Sequence, residues 1–155
     1  MSIPDFKLDI KIEPDLYDLT ARKIAESFIT KKIVFDKKTN ETHTEIKGVS
    51  RHQLRRIFDE VKSINRKFGT YNNDTWKKEA LPLVKMIKAK TAYLVARMKD
   101  KNRNNQKVMK CYDSLQEFIQ KAINQINEKK TFEIFTSFFE AIYGYYYETG
   151  GIETN

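Results

Sequence analysis

The stretch FEIFTSFFEAIYGYYYETGG, residues 132–151, decides how the rest of the chain is read. Eight of its first sixteen residues are aromatic, in a chain that is 12% aromatic overall. Such a run can be a stacking platform for nucleic-acid bases, a membrane anchor or the largest block of a hydrophobic core. On a helical projection, Phe132, Phe135, Phe139, Ile142, Tyr143 and Tyr146 fall on one side, with Ile134, Phe138 and Tyr145 next to them. Glu133, Thr136, Ser137, Glu140, Gly144 and Glu148 share the opposite side with Tyr147. The apolar sector takes about half the circumference, which suits a helix packed among several neighbours. The acids on the polar side would repel phosphate and acidic lipid alike. The run therefore reads as a core helix with Gly150 and Gly151 beyond its end. Tyr147, and Tyr143 at the boundary, are the rings left as surface candidates.

Outward from this helix, Gly and Pro are scarce (5 and 3) and apolar residues recur at helical spacing. The fold class expected is all-α: a compact five-helix bundle with an extended N-terminal arm and a polar loop at about 31–49. A first helix is expected over about 15–30, with Tyr17, Ala21, Ile24 and Phe28 on one face. Ser50 followed by Gln53 has the spacing of a capping box, opening a second helix over about 50–67. A third covers about 76–101 with Pro82 near its first turn. A fourth covers about 106–129, and the aromatic run is the fifth. In residues 1–14, Phe6, Leu8, Ile10 and Ile12 alternate with charged residues, the period of an extended arm. That arm either packs on its own bundle or reaches a neighbouring subunit. The segment KKIVFDKKTNETHTEIKG (31–48) lacks helical period and reads as a mobile loop, with room for a short hairpin between Ile33–Phe35 and His43–Ile46. The organisation expected is an arm (1–14), a single helical domain (15–149) and a flexible tail (150–155).

Composition narrows function. Lys and Arg total 29 against 21 Asp and Glu, a net charge of +8 and a pI near 9.4. Such a balance favours anionic partners. A single cysteine, Cys111, excludes an intramolecular disulfide framework and fits a reducing compartment. No secretory signal pattern and no long uncharged apolar run are visible, so a cytoplasmic location without a membrane partner is expected. His43, His52 and Cys111 make no metal-ligand pattern, and there is no Gly-rich phosphate loop or nucleophile elbow. Acids such as Asp59, Glu60, Glu133 and Glu140 lack a base or metal partner. No catalysis, metal, cofactor or small-molecule substrate is expected.

The basic residues are arranged in stripes. On the second helix, Leu54, Ile57, Phe58, Val61 and Ile64 form the core side, and Arg51, Arg55, Lys62 and Arg66 lie on an adjacent stripe roughly 22 Å long. On the third, Val84, Ile87, Thr91, Leu94, Val95 and Met98 face inward, while Lys90, Tyr93, Arg97 and Lys101 line up across from them. Cations interleaved with a ring suit a single nucleic-acid strand, the cations meeting phosphates and the ring a base. Between Lys85 and Lys110 there are nine basic residues and one acid, a net +8 equal to that of the whole chain. The plainer alternative is a solvated polar face.

Three segments together resemble one family. They are VSRHQLRRIFDEVKSI (49–64), AYLVAR (92–97) and FFEAIYGYYYETGG (138–151). The first is similar to a pattern with a Thr or Ser start and a Gln-hydrophobic-Arg core. The second is similar to Ala-Tyr-x-x-Gly-Arg, with Ala96 where Gly is expected. The third is similar to a closing Phe-Glu-Ala helix with a terminal Gly pair. The family is the small subunit of type III-A CRISPR–Cas effector (Csm) complexes, which act in antiviral defence. The resemblance implies a non-catalytic helical subunit whose copies stack alongside backbone subunits, line with them the channel where target RNA pairs with guide RNA, and have the large subunit as a further partner. It places RNA contacts at Arg55 and Arg97, and the stripes extend that set to Arg51, Lys62, Arg66, Lys90, Tyr93 and Lys101. Two rivals stand beside it: a helical protein-interaction module that touches no nucleic acid, and a helix-turn-helix DNA binder using residues 50–67.

Overall fold

The computed structural model of the chain describes residues 3–150. Four long helices carry the core: α2 (Arg51–Lys67), α4 (Leu81–Lys101), α5 (Gln106–Asn124) and α6 (Lys129–Glu148). Shorter elements complete it: α1 (Leu19–Ser27), α3 (Asn73–Glu79) and a hairpin of β1 (Ile29–Asp36) and β2 (Glu41–Gly48).

α6 buries the side that its periodicity marks. Phe132, Ile134, Phe135, Phe138, Phe139, Ile142 and Tyr146 are buried; Tyr143, Tyr145 and Tyr147 are half-buried. Thr136, expected on the polar side, is buried as well, its hydroxyl donating to the Phe132 carbonyl at 3.0 Å. Phe118 of α5 packs into this face, 5.9, 5.8 and 5.3 Å between centroids from Phe135, Phe138 and Phe139. The rings meet tilted or edge-on, as their quadrupoles prefer.

The N-terminal segment packs on its own bundle as far as Leu8. Ile3 and Leu8 are buried, and the Phe6 ring lies 5.0 Å from Phe138 and 6.0 Å from Phe118. Gln125 holds its backbone: Oε1 accepts the Leu8 N–H at 2.8 Å, and Nε2 donates to the Phe6 carbonyl at 3.1 Å. Past this clasp Ile10 and Ile12 are exposed. Of the expected tail only Gly150 falls within the described residues.

The all-α expectation fails at residues 29–48. β1 and β2 pair antiparallel from Ile29 opposite Gly48 to Asp36 opposite Glu41, so the expected loop is an ordered hairpin. Ile29, Thr30, Ile33 and Val34 on β1 and Thr42, Thr44 and Ile46 on β2 are β-branched, which suits a pleated surface better than a helix. Asn40 takes a left-handed φ of 59° and donates its N–H to the Asp36 carbonyl at 2.9 Å, closing the turn.

Five helices become six among the described residues because one expected helix divides, and another is shortened without changing the count. Over 76–101, Pro82 has no N–H for the Lys78 carbonyl, so α3 ends at Glu79 and α4 starts anew with Pro82 in its first turn. Over 15–30, a 3-10 turn (Pro14–Tyr17) precedes α1, and β-branched Ile29 and Thr30 leave for the sheet. The second helix starts where its capping box predicts. Ser50 Oγ accepts the Gln53 N–H and Gln53 Oε1 accepts the Ser50 N–H, each at 3.2 Å.

One buried node ties these parts together. The Tyr112 hydroxyl donates to Gln53 Oε1 at 2.6 Å and sits 3.2 Å from the Gly48 carbonyl oxygen, joining α5 to the end of the hairpin and the start of α2. Burial raises the Tyr112 phenol to about 12 and the neighbouring Cys111 thiol to about 11. Both hold their protons more tightly folded than unfolded, so their contribution is whole below about pH 9 and is lost as the pH rises towards 12. Melting temperatures are therefore expected to fall between about pH 9 and pH 11, less steeply in Tyr112→Phe. A melting temperature independent of pH across that range would contradict this assignment.

Candidate nucleic-acid interface

α2 presents its core side as expected, with Leu54, Ile57, Phe58, Val61 and Ile64 buried, and its two flanks face different neighbours. The flank carrying Arg51, Arg55 and Lys62 lies against α6. The Arg55 Nε donates to the Tyr143 hydroxyl at 3.2 Å, and one of its terminal nitrogens donates to the Tyr147 hydroxyl. The two phenols touch each other, 3.2 Å between oxygens, with their rings perpendicular and 4.9 Å apart. Arg51 lies over the Tyr147 ring at 4.8 Å and donates to the Gly150 carbonyl at 2.6 Å. Lys62 reaches Glu140 at 3.4 Å, and Arg66 stands exposed beyond it.

The electrostatics of this cluster follow from its partners. Hydrogen bonds to Tyr143 and Tyr147 hold the Arg55 guanidinium even more firmly protonated than usual. Burial raises the Tyr143 phenol. The hydrogen bond from Tyr143, and then that from Arg55, lowers the Tyr147 phenol. Arg55 has two neutral phenols and no carboxylate among its described partners. Its charge is fixed in direction but not neutralised, which suits a phosphate oxygen.

The α4 residues lie on the other flank of α2. Lys90 is paired with Glu60 at 2.5 Å. Tyr93 is 67% exposed, and the Arg97 guanidinium sits 5.6 Å from its ring centroid. Lys101 is exposed one turn further on. Between these residues and Arg56, Asp59 and Glu60 of α2 runs a groove of about 670 Å³ with Ile57, Ile87 and Leu94 among its lining. The eight expected residues thus fall in two sets, four on α2 and four on α4.

Much of the positive charge between Lys85 and Lys110 is engaged within the chain. Lys85 Nζ donates to the Ile123 and Ile126 carbonyls at the end of α5, Lys88 to Asn124, and Lys99 pairs with Asp113 at 2.7 Å. Arg103 pairs with Asp100. Arg97, Lys101, Lys107 and Lys110 have no carboxylate partner among the described residues, and together with Lys85 and Lys88, whose partners are neutral oxygens, they carry the net charge of this stretch. Arg56, Tyr143 and Tyr147 belong to the two sets although the basic stripes do not include them. Arg56 sits one residue off the stripe. In the sequence Tyr143 is a boundary ring of the aromatic run and Tyr147 a surface candidate on its polar side, with no sign of a shared arginine.

No group of three or more His, Cys, Asp or Glu able to hold a metal occurs among the described residues, and no helix among them is long and apolar enough to cross a membrane. α2 follows a hairpin and not a helix with a tight turn, which removes the helix-turn-helix geometry.

The family model described as Csm2 Type III-A matches residues 21–151. The chain belongs to the Csm2 Type III-A family. As a Csm2 family member it is a small subunit of type III-A CRISPR effector (Csm) complexes and has other Csm subunits as partners. The Csm2 match begins inside α1 and so includes the hairpin, well beyond the segments 49–64, 92–97 and 138–151 that carry the resemblance in the sequence. Comparison with curated proteins gives no significant match, and neither does comparison with solved structures.

Proposed function

We propose that this Csm2 subunit is non-catalytic and lines the RNA channel of its effector complex in the cytoplasm. It stacks in several copies beside the backbone and large subunits and contacts the backbone of target RNA paired to guide RNA. The observation that carries this reading is Arg55, exposed, aimed by Tyr143 and Tyr147 and without a carboxylate among its described partners. Arg97, on the other flank of α2, is the second principal contact. Arg51, Lys62, Arg66, Lys90, Tyr93 and Lys101 extend the two sets. Sequence is read by guide–target pairing in such an arrangement, so the protein needs phosphate contacts and no base code.

Charge reversal at both centres, Arg55→Glu with Arg97→Glu, is expected to weaken RNA binding by the assembled complex while the circular dichroism spectrum stays unchanged. The salt dependence of binding should become shallower by roughly 0.7–0.9 in log–log slope for each phosphate that the variant no longer neutralises. Equal affinity and equal slope for wild type and variant at two salt concentrations would refute the RNA role and leave a pure protein-interaction module.

A further inference from the structure

The groove between α2 and α4 differs in chemistry from the Arg55 cluster. Its floor is apolar, from Ile57, Ile87 and Leu94, and two carboxylates, Asp59 and Glu60, stand in its wall. Arg56, Lys90 and Arg97 line it as well, so cations and acids share the groove. Tyr93 stands 67% exposed at the side with Arg97 against its ring. Thr91 is 1% exposed, lines the groove, and its hydroxyl has no hydrogen-bond partner among the described residues. A buried hydroxyl in that state is unfavourable. Asp59 likewise has no partner among the described residues, so its oxygens are available to the amino and imino hydrogens of a base. The volume, about 670 Å³, lies within the usual range for small-molecule sites of about 300–1,000 Å³.

We infer that this groove receives one unstacked nucleobase of a bound RNA strand, stacked on Tyr93, with the ribose–phosphate backbone held at the rim by Arg56 and Arg97. The inference rests on the RNA-contact reading above and adds a base site to it. A helix from a neighbouring protein fits the groove less well. The Lys90–Glu60 ion pair, 2.5 Å, bridges the two walls and interrupts the continuous apolar seam that a docked helix needs.

The test compares binding of the full chain to a short oligoadenylate and to an abasic oligoribose phosphate of equal length, by fluorescence anisotropy at low salt. Tyr93→Ala should weaken oligoadenylate binding by about 5- to 150-fold, the range for loss of one base–aromatic stack, and leave the abasic strand unaffected. Tyr93→Phe, which keeps the ring, should bind oligoadenylate close to wild type. If both strands bind equally and Tyr93→Ala changes neither, the base site falls while the phosphate-binding role of the arginines stands. If neither strand binds and reversal of Arg55 and Arg97 is also silent in the assembled complex, the RNA reading falls and the base site with it. Protection of Tyr93 that tracks protein concentration and not RNA would assign the groove to an interface between copies and overturn the proposal.

Discussion

Phe118→Ala is expected to lower the free energy of unfolding by about 3–5 kcal/mol, the range for removing a fully buried phenyl ring that its surroundings cannot refill. Phe118 has no exposed surface and stands at a junction of three parts of the chain. Its ring meets Phe6 of the N-terminal segment at 6.0 Å and Phe28, which follows α1, at 6.1 Å. The rings of Phe135, Phe138 and Phe139 surround its other sides at 5.3–5.9 Å. No single neighbour can move into the vacated space without leaving another. Against a typical domain stability of about 5–15 kcal/mol this loss is large. Urea or guanidinium titration of the variant measures it, and a loss below about 1 kcal/mol would show that Phe118 is not the centre of the core.

Gly48→Ala comes next in expected effect. Gly48 has φ +127°, a conformation that side chains avoid, and a Cβ there would stand 2.4 Å from the Phe28 carbonyl oxygen and 3.1 Å from Cys111 Sγ. The same carbonyl accepts the Val49 N–H at 2.9 Å, so the hairpin, α1 and α5 are packed around a gap that only hydrogen fits. A destabilisation of about 3 kcal/mol is expected from strain and displaced backbone together. The drop in thermal midpoint, with early hydrogen exchange at Val49, reads it out. A variant as stable as wild type with Val49 still protected would contradict the packing described.

What is legible in the sequence is what depends on neighbours along the chain. The Ser50–Gln53 capping box and the core sides of α2 and α6 follow from spacing alone, because caps and helical periodicity are local. The hairpin is harder to read. Its pairing is fixed by Asn40 turning the chain and by residues on opposite strands, and the segment's polar composition hides both. The division at Ala80 is the work of one missing N–H at Pro82, which the apolar pattern runs across. At the candidate site, positions are legible and partners are not. Arg55 finds its two tyrosines 88 and 92 residues away, and the Lys90–Glu60 pair spans 30. The groove exists only once α2 and α4 are side by side, so no inspection of either stripe could reveal it.

The clasp of Gln125 on Phe6 and Leu8 gives the fold an order in time. It joins residues 117 apart for Leu8 and 119 apart for Phe6, and the Phe6 ring rests on Phe118 and Phe138. As the chain is synthesised, Phe6 and Leu8 emerge with nothing to bind. Their berth is completed only when residues near 138 leave the ribosome. The segment around Phe6 and Leu8 is therefore among the last parts to fold, and until then Ile3, Phe6 and Leu8 stand uncovered, open to capture by chaperones or by one another.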